Sequence, residues 1–156
     1  MWNDKLKVEY EPLRRKPRWM LLKDLVYTLE KRNIRTLNDE DDLWNISDWS
    51  ELGLDIKVTR EDIIIKVASP FLTDLASTHR SIWWFLSPWD IARPAVIHDR
   101  MYRLLSKHKT HKKFDRMRKQ ADLIFWYGMK EVEPQLPYFK RIVAYFFLRI
   151  FGRWKL

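Results

Sequence analysis

The chain contains no cysteine and only three glycines in 156 residues, and both shortages limit the kinds of functional site that it can form. Without cysteine there is no disulfide, no thiol nucleophile and no cysteine-ligated zinc. Few glycines argue against a phosphate-cradling loop, and no G-x-G-x-x-G or Walker A pattern occurs. A spanning helix needs about 18 uninterrupted apolar residues. The nearest candidate, Ile142 to Phe151, is too short and contains Arg149. We therefore expect no membrane-spanning helix, and we recognise no signal peptide.

Positive charge and aromatic side chains are abundant instead. The formal net charge is +9, apolar residues make up 46 %, and nine residues are tryptophan. This composition supports one domain with a real core. Positive charge favours phosphate-rich or acidic partners, but no nucleic-acid-binding motif accompanies it, so nucleic acid is not an expected partner. Basic runs at Leu13 to Arg18 and Lys107 to Lys119 flank an acidic middle at Asn38 to Asp48, a pattern suited to docking on charged neighbours or on copies of the same chain.

The charge pattern also suggests how the chain is organised. Residues 1–18 are predicted to form a basic N-terminal arm, and residues 19–156 a single domain. Residues 33–54 are interpreted as an acidic insertion in that domain, with a short helical turn that Ser47 would cap.

Short strands are predicted in the first half of the chain. Arg18 to Lys31 is interpreted as one or two strands broken near Lys23 and Asp24. A helix is the alternative there, because leucine recurs at every fourth position. Asp55 to Pro70 predicts a hairpin of Ile56 to Val58 and Ile63 to Val67, because its residues are rich in β-branched side chains.

The second half predicts three helices. The first begins near Pro94, a residue suited to the first helical turn. The second runs from about Phe114 to Glu131, and the third from Tyr138 to about Phe151. The fold class is therefore α+β, with short antiparallel strands packed on a C-terminal three-helix region.

One polar group of this helical region is a candidate reaction centre. His98 and Tyr102 are one helical turn apart and share a face. Asp122 is the only acid within the apolar stretch "QADLIFWYGM" of the next helix. If the two helices pack antiparallel, Asp122 reaches His98 and fixes its tautomer, which leaves the other ring nitrogen to take a proton from water. A lone histidine on an apolar face is also often a satisfied core residue, so both interpretations stay open.

Two further aspartates are candidate metal ligands. Asp99 points about 100° around the helix from His98, and Asp74 lies in the segment that leads into the helices. Oxygen donors of this kind suit a hard cation such as calcium. Zinc is not expected, because the four histidines lack ligand spacing.

Four sequence blocks carry a resemblance to a known family. They are "FLTDLASTHR", "VIHDRMYR", "RKQADLIFWYGM" and the final aromatic helix ending in "FGRW". In this order they resemble a family of phage-encoded proteins catalogued as domain of unknown function 1353, over roughly residues 60 to 154. The chain departs from the family pattern at Ser69–Pro70 and at Thr78–His79, both beside the segment that holds Asp74.

A more distant resemblance concerns the chemistry. The H-D-x-x-Y helix followed by a second helix with an aspartate is similar to secreted phospholipase A2. That resemblance implies that His98 acts as the base, Asp99 as the calcium ligand, and Tyr102 with Asp122 as the supporting pair. The glycine-rich calcium loop of that group is missing here, so coordination would depend on Asp99, Asp74 and backbone carbonyls.

Two functions follow as expectations. The first is a bacteriophage virion structural or assembly protein, in the tail or neck, made in the host cytoplasm and bound to other virion proteins or to itself. The second is a calcium-dependent, phospholipase-like hydrolase acting on the host envelope. The aromatic C-terminal helix has apolar residues on nearly every side, and the preferred interpretation is a protein interface. An anionic membrane surface is the alternative.

Overall fold

The computed structural model describes residues 1–3, 5–11, 18–34, 42–43, 45–73, 87 and 89–151. Within these residues the strands are β1 (Val8–Glu11), β2 (Arg18–Leu21), β3 (Leu25–Glu30), β4 (Asp55–Val58), β5 (Asp62–Val67) and β6 (Phe71–Thr73). The α-helices are α1 (Ala92–Ser106), α2 (Phe114–Lys130) and α3 (Tyr138–Phe151).

The strands form two small antiparallel sheets in the described part of the chain. One has the order β1-β2-β6 and the other the order β3-β5-β4. Residues of β3 and β5 alternate between buried and half-buried positions, as expected for strands with one face on a core. That core is filled by α1, which packs on β5 and β6, and by α2, which packs on β3. The α+β prediction is confirmed.

The two stretches predicted to form strands do so. Arg18 to Lys31 forms β2 and β3, which belong to different sheets, so the break at Lys23 and Asp24 is where the chain changes sheets. The helical alternative for this stretch is wrong, because Leu21, Leu25 and Leu29, which recur at every fourth position, lie at buried strand positions. The predicted hairpin is β4 and β5, joined by a turn in which the Thr59 hydroxyl accepts the Asp62 N–H at 2.9 Å.

The described part of the predicted arm lies on the domain. β1 pairs with β2, from Val8 opposite Leu21 onward. The Trp2 ring stacks on Tyr27 with 4.5 Å between ring centroids. The amino group of Met1 contacts the carboxylate of Glu131. The basic residues 12–17 lie outside the described residues.

The acidic insertion contributes to the core. It contains a 3₁₀ helix, Ile46–Ser50, whose Trp49 is fully buried. The Trp49 indole N–H donates to Gln120 of α2 at 2.9 Å. The predicted cap at Ser47 is wrong: Ser47 lies inside the helix, and Asn45, with φ of 59°, precedes it. Asparagine tolerates this left-handed conformation better than most residues.

The order of the helices places α2 in the middle, against α1 on one side and α3 on the other. α1 and α2 approach closely at Gly128, where an added Cβ would lie 2.9 Å from the Cβ of Pro94. A small apolar cluster joins α2 to α3: Ile91, Ala95, Phe125, Met129, Val132, Leu136 and Ala144. A polar group on α2 can therefore reach both neighbouring helices.

Candidate functional site

The candidate site begins with two aromatic side chains on α1. His98 and Tyr102 are four residues apart, so both point from the same side of the helix. Their ring centroids are 4.0 Å apart, and both residues are buried. Phe125 of α2 covers the imidazole, with 5.3 Å between ring centroids. The polar atoms of His98 and Tyr102 thus lie in apolar surroundings, where they require hydrogen-bond partners.

Asp122 of α2 supplies those partners. Its Oδ1 lies 3.1 Å from Nε2 of His98 and accepts the Tyr102 hydroxyl at 2.7 Å. Asp122 has no solvent exposure at all. The structure therefore brings together the three side chains that the sequence singled out, at the spacing expected for antiparallel α1 and α2. Their catalytic roles stay a prediction.

A fourth member, Arg149 of α3, was not assigned a role from the sequence. Its guanidinium donates to Oδ2 of Asp122 at 2.6 Å. Its backbone carbonyl lies 3.4 Å from a guanidinium nitrogen of Arg118, one turn before Asp122 on α2. The signal that could have found it is the single arginine inside "YFFLRIF", because a charge in so apolar a run needs a partner. We call His98, Tyr102, Asp122 and Arg149 the Asp122 cluster.

The pKa values in the cluster follow from these contacts. Burial by itself raises the pKa of Asp122, but hydrogen bonds from His98, Tyr102 and Arg149 outweigh it and hold the pKa below its usual value. Burial, followed by the Asp122 charge, raises the pKa of Tyr102 far above its ordinary range. Asp122 is thus an anion at neutral pH, and Tyr102 is a neutral donor to it.

These contacts determine what the site can do chemically. Since Nε2 of His98 faces an anionic carboxylate, Nε2 carries the proton and Nδ1 is left as the basic nitrogen. That is the arrangement of a base oriented by a carboxylate. Two features oppose catalysis: His98 is only 6 % exposed, and Arg149 already neutralises the charge that would support an imidazolium.

The lowered pKa of Asp122 predicts acid sensitivity. The Asp122 carboxylate binds a proton less readily in the folded protein than in the unfolded chain. Its contribution to stability is therefore complete at pH values above the pKa of the unfolded chain, near 3.8. It is lost as the pH falls through the lower folded-state value. We expect the free energy of unfolding, measured by urea titration at successive pH values, to fall in this acid range, and to fall less in Asp122→Asn.

Asp24→Asn is the matched control for the acid prediction. Asp24 also has a lowered pKa, caused chiefly by its hydrogen bond with Lys66, but it lies at the surface. This variant should keep most of the acid-induced loss of stability. An Asp122→Asn protein as acid-sensitive as the wild type would contradict the assignment.

Of the two predicted metal ligands, the structure describes Asp99. Asp99 Oδ2 accepts a hydrogen bond from the buried Thr73 hydroxyl of β6 at 2.5 Å. Asp74 lies outside the described residues. Among the residues that are described, no group of three or more His, Cys, Asp or Glu side chains could hold a metal ion. Calcium takes six to eight oxygen ligands, and since Asp74 is not among the described residues, the calcium site of Asp99 and Asp74 stays a prediction.

The Asp122 cluster and the fold can be set beside known proteins. No curated protein and no solved structure matches the chain. The model of a family described as protein of unknown function (DUF1353) matches residues 51–147, more than half of the 156 residues. The match includes His98, Tyr102 and Asp122 and ends two residues before Arg149. The chain belongs to the DUF1353 family.

Proposed function

We propose that this chain is a structural or assembly protein of a bacteriophage particle, in its tail or neck, and that it is made in the host cytoplasm. In this proposal the Asp122 cluster clamps α1, α2 and α3 together and performs no reaction. The observation that carries the non-catalytic role is the closure of the cluster: Asp122 is fully buried and accepts from three other side chains.

The closed cluster favours a structural role for a physical reason. A general base must reach the proton that it removes, directly or through one water. An imidazole that is 6 % exposed and packed against Phe125 has little room for water or substrate. A buried polar group whose partners are all satisfied instead specifies one arrangement of the elements around it. The assignment to a phage particle is supported by the resemblance of the four sequence blocks to phage-encoded proteins.

Quantitative mass spectrometry of purified particles tests this proposal. The protein should be present at a small, fixed copy number, and it should bury more than about 1,000 Å² against its neighbours in the particle. Particles carrying His98→Gln should incorporate the protein at the same level as wild type, because the glutamine amide can still donate a hydrogen bond to Asp122. A monodisperse monomer that is absent from purified particles would overturn the proposal.

A hydrolase is the second candidate, and one observation favours it. Nε2 of His98 and the Tyr102 hydroxyl meet on the same Asp122 oxygen, at 3.1 and 2.7 Å. In this function Nδ1 of His98 would take a proton from water, the water oxygen would attack an ester carbonyl, and Asp122 would stabilise the resulting imidazolium. The imidazolium would then give this proton to the leaving alcohol oxygen as the ester C–O bond breaks. The phospholipase A2 resemblance supports an ester of a host envelope lipid as substrate.

The hydrolase candidate predicts a measurable loss of activity. Ester hydrolysis of phospholipid vesicles should fall by about 10²-fold or more in His98→Gln, because general base catalysis contributes this much. His108→Gln is the control: His108 lies beyond the end of α1, and its Nδ1 is 2.9 Å from the Leu104 carbonyl, away from Asp122. The assay is run with calcium and with a chelator. Equal rates for wild type and His98→Gln under both conditions would exclude catalysis by His98.

A further inference from the structure

The outer side of α3 is apolar where a helix of a small domain usually carries charge. Five large apolar side chains are exposed there, with 43 to 63 % of their surface accessible: Tyr138, Phe139, Ile142, Phe146 and Ile150. Four of them recur at every fourth residue, which places them in one line along the helix. We call these five residues the α3 apolar face.

The contacts that hold α3 on the domain leave most of the α3 apolar face exposed. α3 packs on α2 through the buried Ala144 and through Tyr145, whose ring lies 5.6 Å from that of Trp126. Arg149 adds the ion pair to Asp122. Tyr138 also meets the domain, with 6.2 Å between its ring centroid and that of Trp126, but it stays 63 % exposed. A contiguous exposed apolar patch of this kind marks an interaction site.

The charged side chains that α3 itself carries are all cations. They are Lys140, Arg141 and Arg149, of which Arg149 pairs with the buried Asp122. Next to it, Trp126 of α2 is approached by the Lys130 ammonium at 5.4 Å and by the Arg141 guanidinium at 5.6 Å, measured to the ring centroid. Arg141 also lies 5.4 Å from the ring of Tyr138. The result is a belt of tryptophan, tyrosine and cations beside an apolar stripe.

The acids that precede α3 change this balance little. Glu131 contacts the amino group of Met1. Glu133 is exposed in the turn before the helix, and the chain as a whole carries a net charge of +9. A surface of anionic character complements this region.

We propose that the α3 apolar face binds the surface of an anionic lipid bilayer, with the apolar side chains inserted at the level of the headgroups. Aromatic rings with lysine and arginine beside them suit the boundary between lipid and water, and anionic headgroups complement the cations. A second copy docked on the same face would bring like charges together. The helix would lie on the bilayer, because no helix among the described residues is long and apolar enough to cross one. This inference is independent of whether the chain is a particle component or a hydrolase.

Vesicle flotation of the full chain tests the inference. The probes are phosphatidylcholine vesicles with and without about one-third phosphatidylglycerol. We expect binding to the anionic vesicles, and at least about tenfold weaker binding to the neutral ones. The double variant Ile142→Ser/Phe146→Ser should bind the anionic vesicles about tenfold or more weakly than wild type, because it removes two inserted apolar groups. Leu22→Ser, a residue 51 % exposed outside α3, should bind as wild type does.

Folding of the variants is checked by circular dichroism, and the single variant Phe146→Ser replaces the double one if the latter is unfolded. Three results would overturn the inference. The first is that wild type does not bind anionic vesicles. The second is that a folded variant of the α3 apolar face binds them as well as wild type does. The third is that wild type forms a dimer and does not bind vesicles, and that this dimer dissociates in the variant. The last result would assign the face to a second copy. Presence in purified particles is a separate measurement, so either proposal can fail alone.

Discussion

Asp122→Asn is expected to lower the free energy of unfolding by about 3–5 kcal/mol, the usual loss when one partner of a buried ion pair is removed. Asp122 accepts on both carboxylate oxygens, from His98 and Tyr102 on one and from Arg149 on the other. An amide has only one oxygen. Its NH₂ group therefore faces donors on one side or the other, whichever way it is placed. Urea unfolding followed by circular dichroism measures the loss.

Glu30→Gln is the control for the Asp122 substitution. Glu30 also pairs with an arginine, Arg32, at 2.6 Å, but the arginine side chain is 83 % exposed. Removing such a surface pair changes stability by less than about 1 kcal/mol. If Glu30→Gln and Asp122→Asn lower the free energy of unfolding by similar amounts, the buried Asp122 cluster stabilises the fold no more than a surface ion pair does.

Trp49→Ala is expected to destabilise the fold by about 3–5 kcal/mol, as large-to-small substitutions of buried aromatics do. Trp49 is fully buried, although it lies in the stretch that its acidity marks as an insertion. The indole fills space beside α2 and also donates to Gln120 at 2.9 Å. Urea unfolding again provides the measurement.

Trp49→Phe separates the two contributions of the indole. Phenylalanine keeps most of the apolar contact but cannot donate to Oε1 of Gln120. We expect a loss of about 1–3 kcal/mol from the missing donor, with a smaller term for the lost volume. If Trp49→Ala unfolds at the wild-type urea concentration, the insertion is not part of the core.

The sequence predicts the regular elements of this fold well where local signals agree. Pro137 precedes α3, and the predicted start at Tyr138 is the observed one. The β-branched run at Ile63 to Val67 predicts a strand because such side chains pack well on a pleated surface. Local signals in the sequence predict neither β1 nor β6. β1 lies in a polar stretch, and β6 has only three residues, so both depend on pairing with β2 rather than on local preference.

The candidate site was predictable to the extent that its partners lie on neighbouring helices. His98 and Tyr102 are one turn apart, and Asp122 is an acid in an apolar run, so pairing α1 with α2 suffices to join them. Arg149 comes from a third helix whose direction across α2 the sequence does not specify. Ser47 was assigned as a cap from its type alone, whereas the turn begins at Asn45. The burial of His98 decides whether it serves as part of a structural clamp or as a catalytic base. This burial depends on how the helices pack and not on the spacing of residues in the sequence.

The central claim is that Asp122 clamps α2 to α3 through Arg149, and a double-mutant cycle tests it most directly. The free energies of unfolding of wild type, Asp122→Asn, Arg149→Met and the double variant are measured in urea. We expect the double variant to lose less stability than the two single variants together, by about 1–3 kcal/mol, because the two side chains contact each other. Additive losses would show that the two residues are uncoupled, and the clamp would not exist.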